Sequence, residues 1–559
     1  MLLVALLGGC ATADDDASGE ALDDTGANAA STGAAPGTTS GDGAGEDDGI
    51  GIPATSTGSF EPPNGATGSS GTSGAAGDDP GYDPGDPDDG RGSAGHDTDD
   101  EADTDAASGE SSGSSGGSTG EEPVCATDEP VTLFLSPDDS NSMSSPVQAR
   151  KAILRHPQYL TGIPIRTWEF LNYYHFEYPA APEGELLVVP SMVHDDDMPE
   201  GEYLLQIGVS SPEVTDEARP PINVTLVLDR SGSMKGEPIE LLRESARAIA
   251  ASLKAGDVIS MVTWDTENAI ILAGHEVDGP DDPMLLDAIA DVDAGGGTDL
   301  HAGLVAGYDL AQSVYDSDRI NRIVLISDGG ANAGITDVEI IAENAGGRDA
   351  DGIYMVGVGV GEGLSYNDRL MDAVTDAGKG ASVFIGDADE AWKIFHENFV
   401  NTLAVAARDV QVRVDLPPGF EIATFSGEEY SADPSEIEPQ HLAPNDAMVF
   451  HQRIQTCAPE LLDEETTVTV TASYKDGTTF EGRDVSVTAS FPELLAMDPA
   501  LLRKGAAIFE YAEGLKAYIA ASSDRDAALT PARTALARAL EVLPEDPDLL
   551  EIQDLLDRL

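Results

Sequence analysis

Between residues 220 and 407 short apolar runs alternate with stretches of helical periodicity. The runs fall at 223–228, 257–264, 269–273, 321–327, 353–358 and 382–385, and the helical stretches at 237–254, 282–291, 299–315, 336–348, 367–377 and 388–406. Such alternation predicts parallel strands covered on both faces by helices. Runs as apolar as NVTLVL (Asn223 to Leu228) fit strands buried on both sides. The expected fold is α/β, a doubly wound, mostly parallel, Rossmann-like sheet of six strands.

The flanks have a different period. Before the α/β unit, residues 125–219 hold alternating runs at 185–194 and 202–210, and after it 409–415, 421–425, 447–455, 465–474 and 479–490 alternate in β fashion with turns such as Lys475 to Gly477. Strands on both sides of an α/β unit predict one β-sandwich-like domain (its later part 408–492) with the unit at 220–407 inserted in it. Trp168, Phe170, Tyr173, Tyr174 and Phe176 are spaced to suit one helix face followed by a turn, and we read them as core. Residues 493–559 form a C-terminal helical region of two or three helices, with breaks near Ser522 and at Pro544 to Pro547; packing or oligomerisation is its expected role, and no oligomeric state can be read from it.

The chemistry lies where strand runs end. Asp229, Ser231 and Ser233 close the first run as D-x-S-x-S, Thr298 sits in the glycine loop GGGTDL (Gly295 to Leu300), and Asp328 ends IVLISDGG (Ile323 to Gly330). Alternate residues of an extended turn share one side, so the first three side chains converge while Arg230 and Gly232 point away. Open α/β sheets bind ligands where strands hand over to helices. Two carboxylates and three hydroxyls suit a hard divalent cation, Mg²⁺ with Mn²⁺ as the alternative; Ca²⁺ prefers more oxygens. Taken alone, the first triplet also reads as a helix N-cap.

Together these motifs resemble the von Willebrand factor type A domain, whose metal-ion-dependent adhesion site reads D-x-S-G-S, then T-D, then D-G. Here they are DRSGSM (Asp229 to Met234), GGGTDL and SDGG (Ser327 to Gly330), and the stretch Gly357 to Ile385 is similar to the last strands and sixth helix of such domains. The resemblance implies that Asp229, Ser231, Ser233, Thr298 and Asp328 hold the ion, some of them through water. It also implies that the open coordination position takes an Asp or Glu carboxylate from a protein partner. The segment Gly162 to Pro179 is similar to the extension that precedes the domain in a group of bacterial lipoproteins of this family.

The amino terminus adds a location. Leu6 to Cys10 (LLGGC) matches a bacterial lipobox, which makes Cys10 the lipid-bearing residue after removal of a signal peptide at 1–10. No Lys or Arg precedes the short apolar run, so the expected start lies upstream. Ala11 is not the Asp that marks inner-membrane retention in enteric bacteria, and the expected place is the outer membrane of a bacterial cell envelope, with the membrane face left open. Residues 11–124 are Gly, Ser, Asp and Pro with almost no large apolar side chain, a composition that cannot offset its ordering entropy and reads as a disordered tether.

Charge narrows the partners. The chain has 103 Asp plus Glu against 29 Lys plus Arg, a formal net charge of −74. The tether holds 26 of the acids and only Arg91 among the bases, so residues 125–559 still carry 77 acids against 28 bases. This excludes a general nucleic-acid binder and disfavours adsorption to anionic lipid. Of the other two cysteines, Cys125 and Cys457 are candidates for a disulfide in an oxidising compartment, with two unpaired thiols as the alternative.

Enzymatic patterns are weak. GVGVGEG (Gly357 to Gly363) imitates a dinucleotide fingerprint but follows the fifth strand run rather than the first. His301 follows the Thr298 loop without a paired nucleophile, and His396 and Glu397 fall on the last helix of the unit. The expected function is non-enzymatic, metal-dependent binding of an extracytoplasmic protein, in adhesion or complex assembly. The alternatives are an envelope scaffold with a vestigial metal site and a Mg²⁺-dependent hydrolase.

Overall fold

The structure is a computed structural model that describes residues 129–137, 142–330, 352–361 and 366–559. The tether, Cys10, Cys125 and the helix expected at 336–348 lie outside the described residues. Among these, no helix is long and apolar enough to cross a membrane.

The six expected strands form one sheet in the order Asn268–Glu276, Val258–Trp264, Ile222–Asp229, Ile320–Ser327, Tyr354–Val360, Ser382–Ile385. The first pair is antiparallel and every other pairing is parallel. All eight residues of the central strand Ile222–Asp229 are buried, the polar Asn223, Thr225 and Asp229 included, as a strand covered on both faces requires. Helices start at the sheet's C-terminal edge on polar caps: Asp299 accepts from the Ala302 N–H at 3.1 Å and Asn367 from the Leu370 N–H at 3.4 Å. The helix Leu300–Ser313 lies tight against the strands, because a Cβ on Gly303 would stand 2.6 Å from the Trp264 ring and one on Gly307 2.3 Å from a Val227 methyl.

Two antiparallel sheets flank this unit. One pairs Val131–Leu135 with Ala407–Leu416, then Thr467–Asp476 and Gly482–Ser490. The other joins Leu187–Val193, Glu202–Ser210, Ala447–Thr456 and Phe420–Phe425. Val188, Leu205 and Ile207 of the second meet Val412, Val414 and Val470 of the first in a shared core. Strands from before and after the α/β unit thus pair with one another, and the unit is an insertion in the sandwich. The joint is tied by a buried ion pair in which the Arg219 Nη2 and Asp257 Oδ2 atoms stand 2.5 Å apart.

Phe170, Tyr173, Tyr174 and Phe176 are buried and Trp168 half-buried, so the aromatic segment is core. Phe170 meets the Tyr511 ring edge-on at 5.6 Å, on the C-terminal helix Ala500–Ala520. The helices Thr530–Val542 and Pro547–Arg558 complete that layer. One expectation needs correction: 388–406 is not one helix but Ala388–Trp392, a π turn at Lys393–Glu397, and Phe399–Leu403. The Asn398 N–H reaches back to Lys393 O at 2.9 Å, and the Thr402 hydroxyl donates to Ile394 O at 2.9 Å, so carbonyls freed by the extra residue find other donors.

Candidate metal centre

All five sequence-marked residues meet at the C-terminal edge of the sheet. Asp229 ends the central strand and is fully buried. Its Oδ1 accepts the Ser231 N–H at 2.8 Å and its Oδ2 accepts the Ser327 hydroxyl at 2.7 Å. Ser231 Oγ stands 3.0 Å from Ser233 Oγ. A Cβ on Gly330 would stand 3.1 Å from Asp328 Oδ1, 3.5 Å from the Thr298 methyl and 3.7 Å from Ser233 Oγ, so side chains of all three loops lie beside this glycine. Three loops, far apart in sequence, therefore bring these side chains together at one edge of the sheet.

Backbone hydrogen bonds hold these loops in register. Gly295 N donates to Arg230 O at 2.6 Å and Gly232 N to Gly296 O at 3.1 Å, joining the first two loops. Asn367 N donates to Asp328 O at 3.1 Å, tying the third loop to the next helix start. Gly329 has φ +73°, and a Cβ there would stand 2.7 Å from Asn367 O, so a side chain is excluded on both counts. Arg230 turns outward as expected, its Nε 2.9 Å from Asp265 Oδ2.

Asp229 and Asp328 make no ion pair with Lys, Arg or His among the described residues, although both are buried. Burial pushes the Asp229 carboxyl up to about 7; hydrogen bonds from Ser231 and Ser327 pull the other way, and the charge of Asp328 adds to the rise. Two buried neighbouring carboxylates with no protein cation paired to them among the described residues fit a divalent ion, and the hydroxyls around them fit a hard one. No three His, Cys, Asp or Glu side chains converge as a metal site among the described residues. Only two of these five donors are carboxylates, so the cluster is of another kind.

Sequence reading missed Ser327, whose hydroxyl bridges Asp229 and the Gly329 N–H at 3.0 Å. Its signal was its place beside Asp328 in SDGG. Asn367 was missed too, and only its position before a helix marked it. His301, at the start of its helix, makes no hydrogen bond to the five residues, and His396 Nδ1 meets Ser252 Oγ at 2.9 Å instead. Cys457 is disulfide-bonded.

A six-strand sheet of this order with an oxygen cluster at its C-terminal edge defines a class of domain, and the comparisons agree. Residues 224–331 match the sequence model of the von Willebrand factor type A domain. The chain carries such a domain over these residues and is related to uncharacterized bacterial proteins. It is 29% identical over 218 residues to the uncharacterized protein YfbK of Escherichia coli (strain K12), covering 39% of this chain and 37% of that protein. It is 26% identical over 229 residues to the uncharacterized protein sll0103 of Synechocystis sp. (strain ATCC 27184 / PCC 6803 / Kazusa), covering 41% and 53%. The chain thus spans about a third to a half of the length of these relatives. Among solved structures it is similar to a von Willebrand factor type A protein from Catenulispora acidiphila, with TM-score 0.43, 16% identity, and coverage of 69% of this chain and 91% of that one.

Proposed function

We propose that this chain binds a protein partner through a divalent cation, Mg²⁺ or Mn²⁺, held by Asp229, Ser231, Ser233, Thr298 and Asp328. The observation that carries the reading is the gathering of these side chains at one sheet edge, where the two buried carboxylates pair with no Lys, Arg or His among the described residues. The bound ion would supply a Lewis-acidic position for an Asp or Glu carboxylate of the partner. The chain's own part is to fix the donors: Ser327 and the Ser231 N–H aim Asp229, and Asn367 holds the Asp328 loop. The reading is of binding rather than catalysis. We further propose that a lipid on Cys10, in the lipobox-like LLGGC, would anchor the chain in a bacterial envelope at the outer membrane.

The test is capture of envelope proteins by the immobilised chain in Mg²⁺, in a chelator, and with Asp229→Ala. The proposal expects bands retained by the parent in Mg²⁺ that both other conditions release and that added acetate weakens. Equal retention in all three would leave the envelope scaffold as the function.

A further inference from the structure

We propose that the cavity between the start of the strand Ile320–Ser327 and the sandwich strand Gln440–Leu442 is a binding site for a small oxyanion of the phosphate or sulfate class. It lies at the opposite end of the sheet from the metal cluster and is independent of it.

The first observation is a guanidinium without a counter-ion. Arg322 is buried, 6% exposed, and its one side-chain hydrogen bond is a long one, 3.4 Å from Nη1 to the Asn321 carbonyl. It pairs with no carboxylate among the described residues. Its guanidinium lies over the Tyr354 ring, 5.0 Å from the centroid, and Arg408 lies over the same ring at 4.9 Å. Arg408 pairs with no carboxylate among the described residues either; it donates to the Tyr354 hydroxyl and, from Nε, to Gly477 O at 3.0 Å. Burial and the charge of Arg408 pull the Arg322 guanidinium down to about 9. Two like charges around one aromatic ring, one of them fully desolvated, are costly unless an anion joins them.

The second observation is a donor aimed at nothing. His441 meets Tyr354 edge-on at 4.9 Å, and its Nδ1 accepts the Asp409 N–H at 3.3 Å. That assigns the ring proton to Nε2, which is buried and has no partner. Burial, with Arg408, pushes this imidazole down to about 3, so it serves as a neutral N–H donor.

Of these groups Arg322 and His441 line a cavity of about 40 Å³, together with Gln440 and Lys379, while Tyr354 and Arg408 stand behind its wall. One ordered water needs about 10–15 Å³ on this measure, so the space holds a few waters or one compact anion. The planar fork of a guanidinium matches the oxygen spacing of such ions. Asp376 and Glu438 also line the wall, but both are exposed, so they repel an extended polyanion more than a small ion seated against Arg322. Arg322 and Tyr354 belong to the α/β sheet, Arg408 and His441 to the sandwich. A bound anion would fasten the insertion to its host domain.

The test is calorimetry and thermal unfolding of the full chain with inorganic phosphate and with sulfate, against sodium chloride of equal ionic strength. The parent should bind one phosphate or sulfate saturably and melt higher with it. Arg322→Met should lose both effects, and in anion-free buffer it should melt no lower than the parent because it removes a buried like charge. Lys379→Asn, at an exposed position whose φ of +50° Asn tolerates, should fold and bind about two- to fivefold more weakly. No saturable binding by the parent overturns the proposal, as do equal responses of parent and Arg322→Met, unchanged affinity in Lys379→Asn, or saturation by acetate alone.

Discussion

Replacing Asp229 by Asn should stabilise the metal-free protein above neutral pH. The carboxyl has an ordinary value of 3.8 and rises to about 7 in the fold. Between those values the folded chain binds more protons than the unfolded chain, so the contribution of this group to stability falls as pH rises through the window. An interval of about 3 pH units at ~1.4 kcal/mol each sets an upper bound of ~4 kcal/mol lost by pH 8. Asn keeps the shape and the contacts. Its Oδ1 accepts the Ser231 N–H, its Nδ2 donates to the Ser327 hydroxyl, and the like-charge repulsion from Asp328 is gone. With solvent relaxation the expected gain is ~1–3 kcal/mol at pH 8 and near zero at pH 4. The assay is urea unfolding of parent and variant in chelator at both pH values, repeated in Mg²⁺, where the parent alone should gain. A variant less stable than the parent at pH 8 without metal would refute the reasoning that these acids are held unpaired for an ion.

Breaking the joint at the other end of the sheet should have the opposite sign. Asp257 meets Arg219 through both oxygens and also accepts the Ile222 N–H at 3.0 Å and the Lys254 N–H at 2.8 Å, so Asp257→Ala should cost about 3–5 kcal/mol by denaturant midpoint. Asp368 connects the N-terminal extension to the metal cluster: it accepts from Gln148 at 2.7 Å and from Arg166, and it follows Asn367, which holds Asp328. Asp368→Ala should therefore weaken Mg²⁺ binding by up to about tenfold in a calorimetric titration while far-ultraviolet circular dichroism stays unchanged.

What could be read in the sequence had local causes. The strand Ile222–Asp229 is mostly apolar because helices cover both its faces, and that pattern can be read in the six residues Asn223 to Leu228. Its ligands were legible because each loop carries its own short motif at a strand end. The bend in 388–403 was not, since Ala, Trp, Ile and Phe continue the helical spacing through a π turn that Asn398 and Thr402 create by hydrogen bonding. The Arg219–Asp257 pair and the Arg322, Tyr354, Arg408 stack were hidden for another reason. Their members come from separate segments of the chain, and only the folded joint brings them together. Ser327 stood in plain sight, but a hydroxyl that bonds Asp229 rather than the proposed ion has no motif of its own.

The most direct measurement is calorimetric titration of the full chain with Mg²⁺, Mn²⁺ and Ca²⁺, in parallel with Asp229→Ala. The account predicts saturable one-site binding of Mg²⁺ and Mn²⁺ that the substitution abolishes, over a weak background from the acidic tether that it leaves intact. Equal, unsaturating heats from both proteins would contradict it, and the five oxygens would then be a folded loop cluster without an ion.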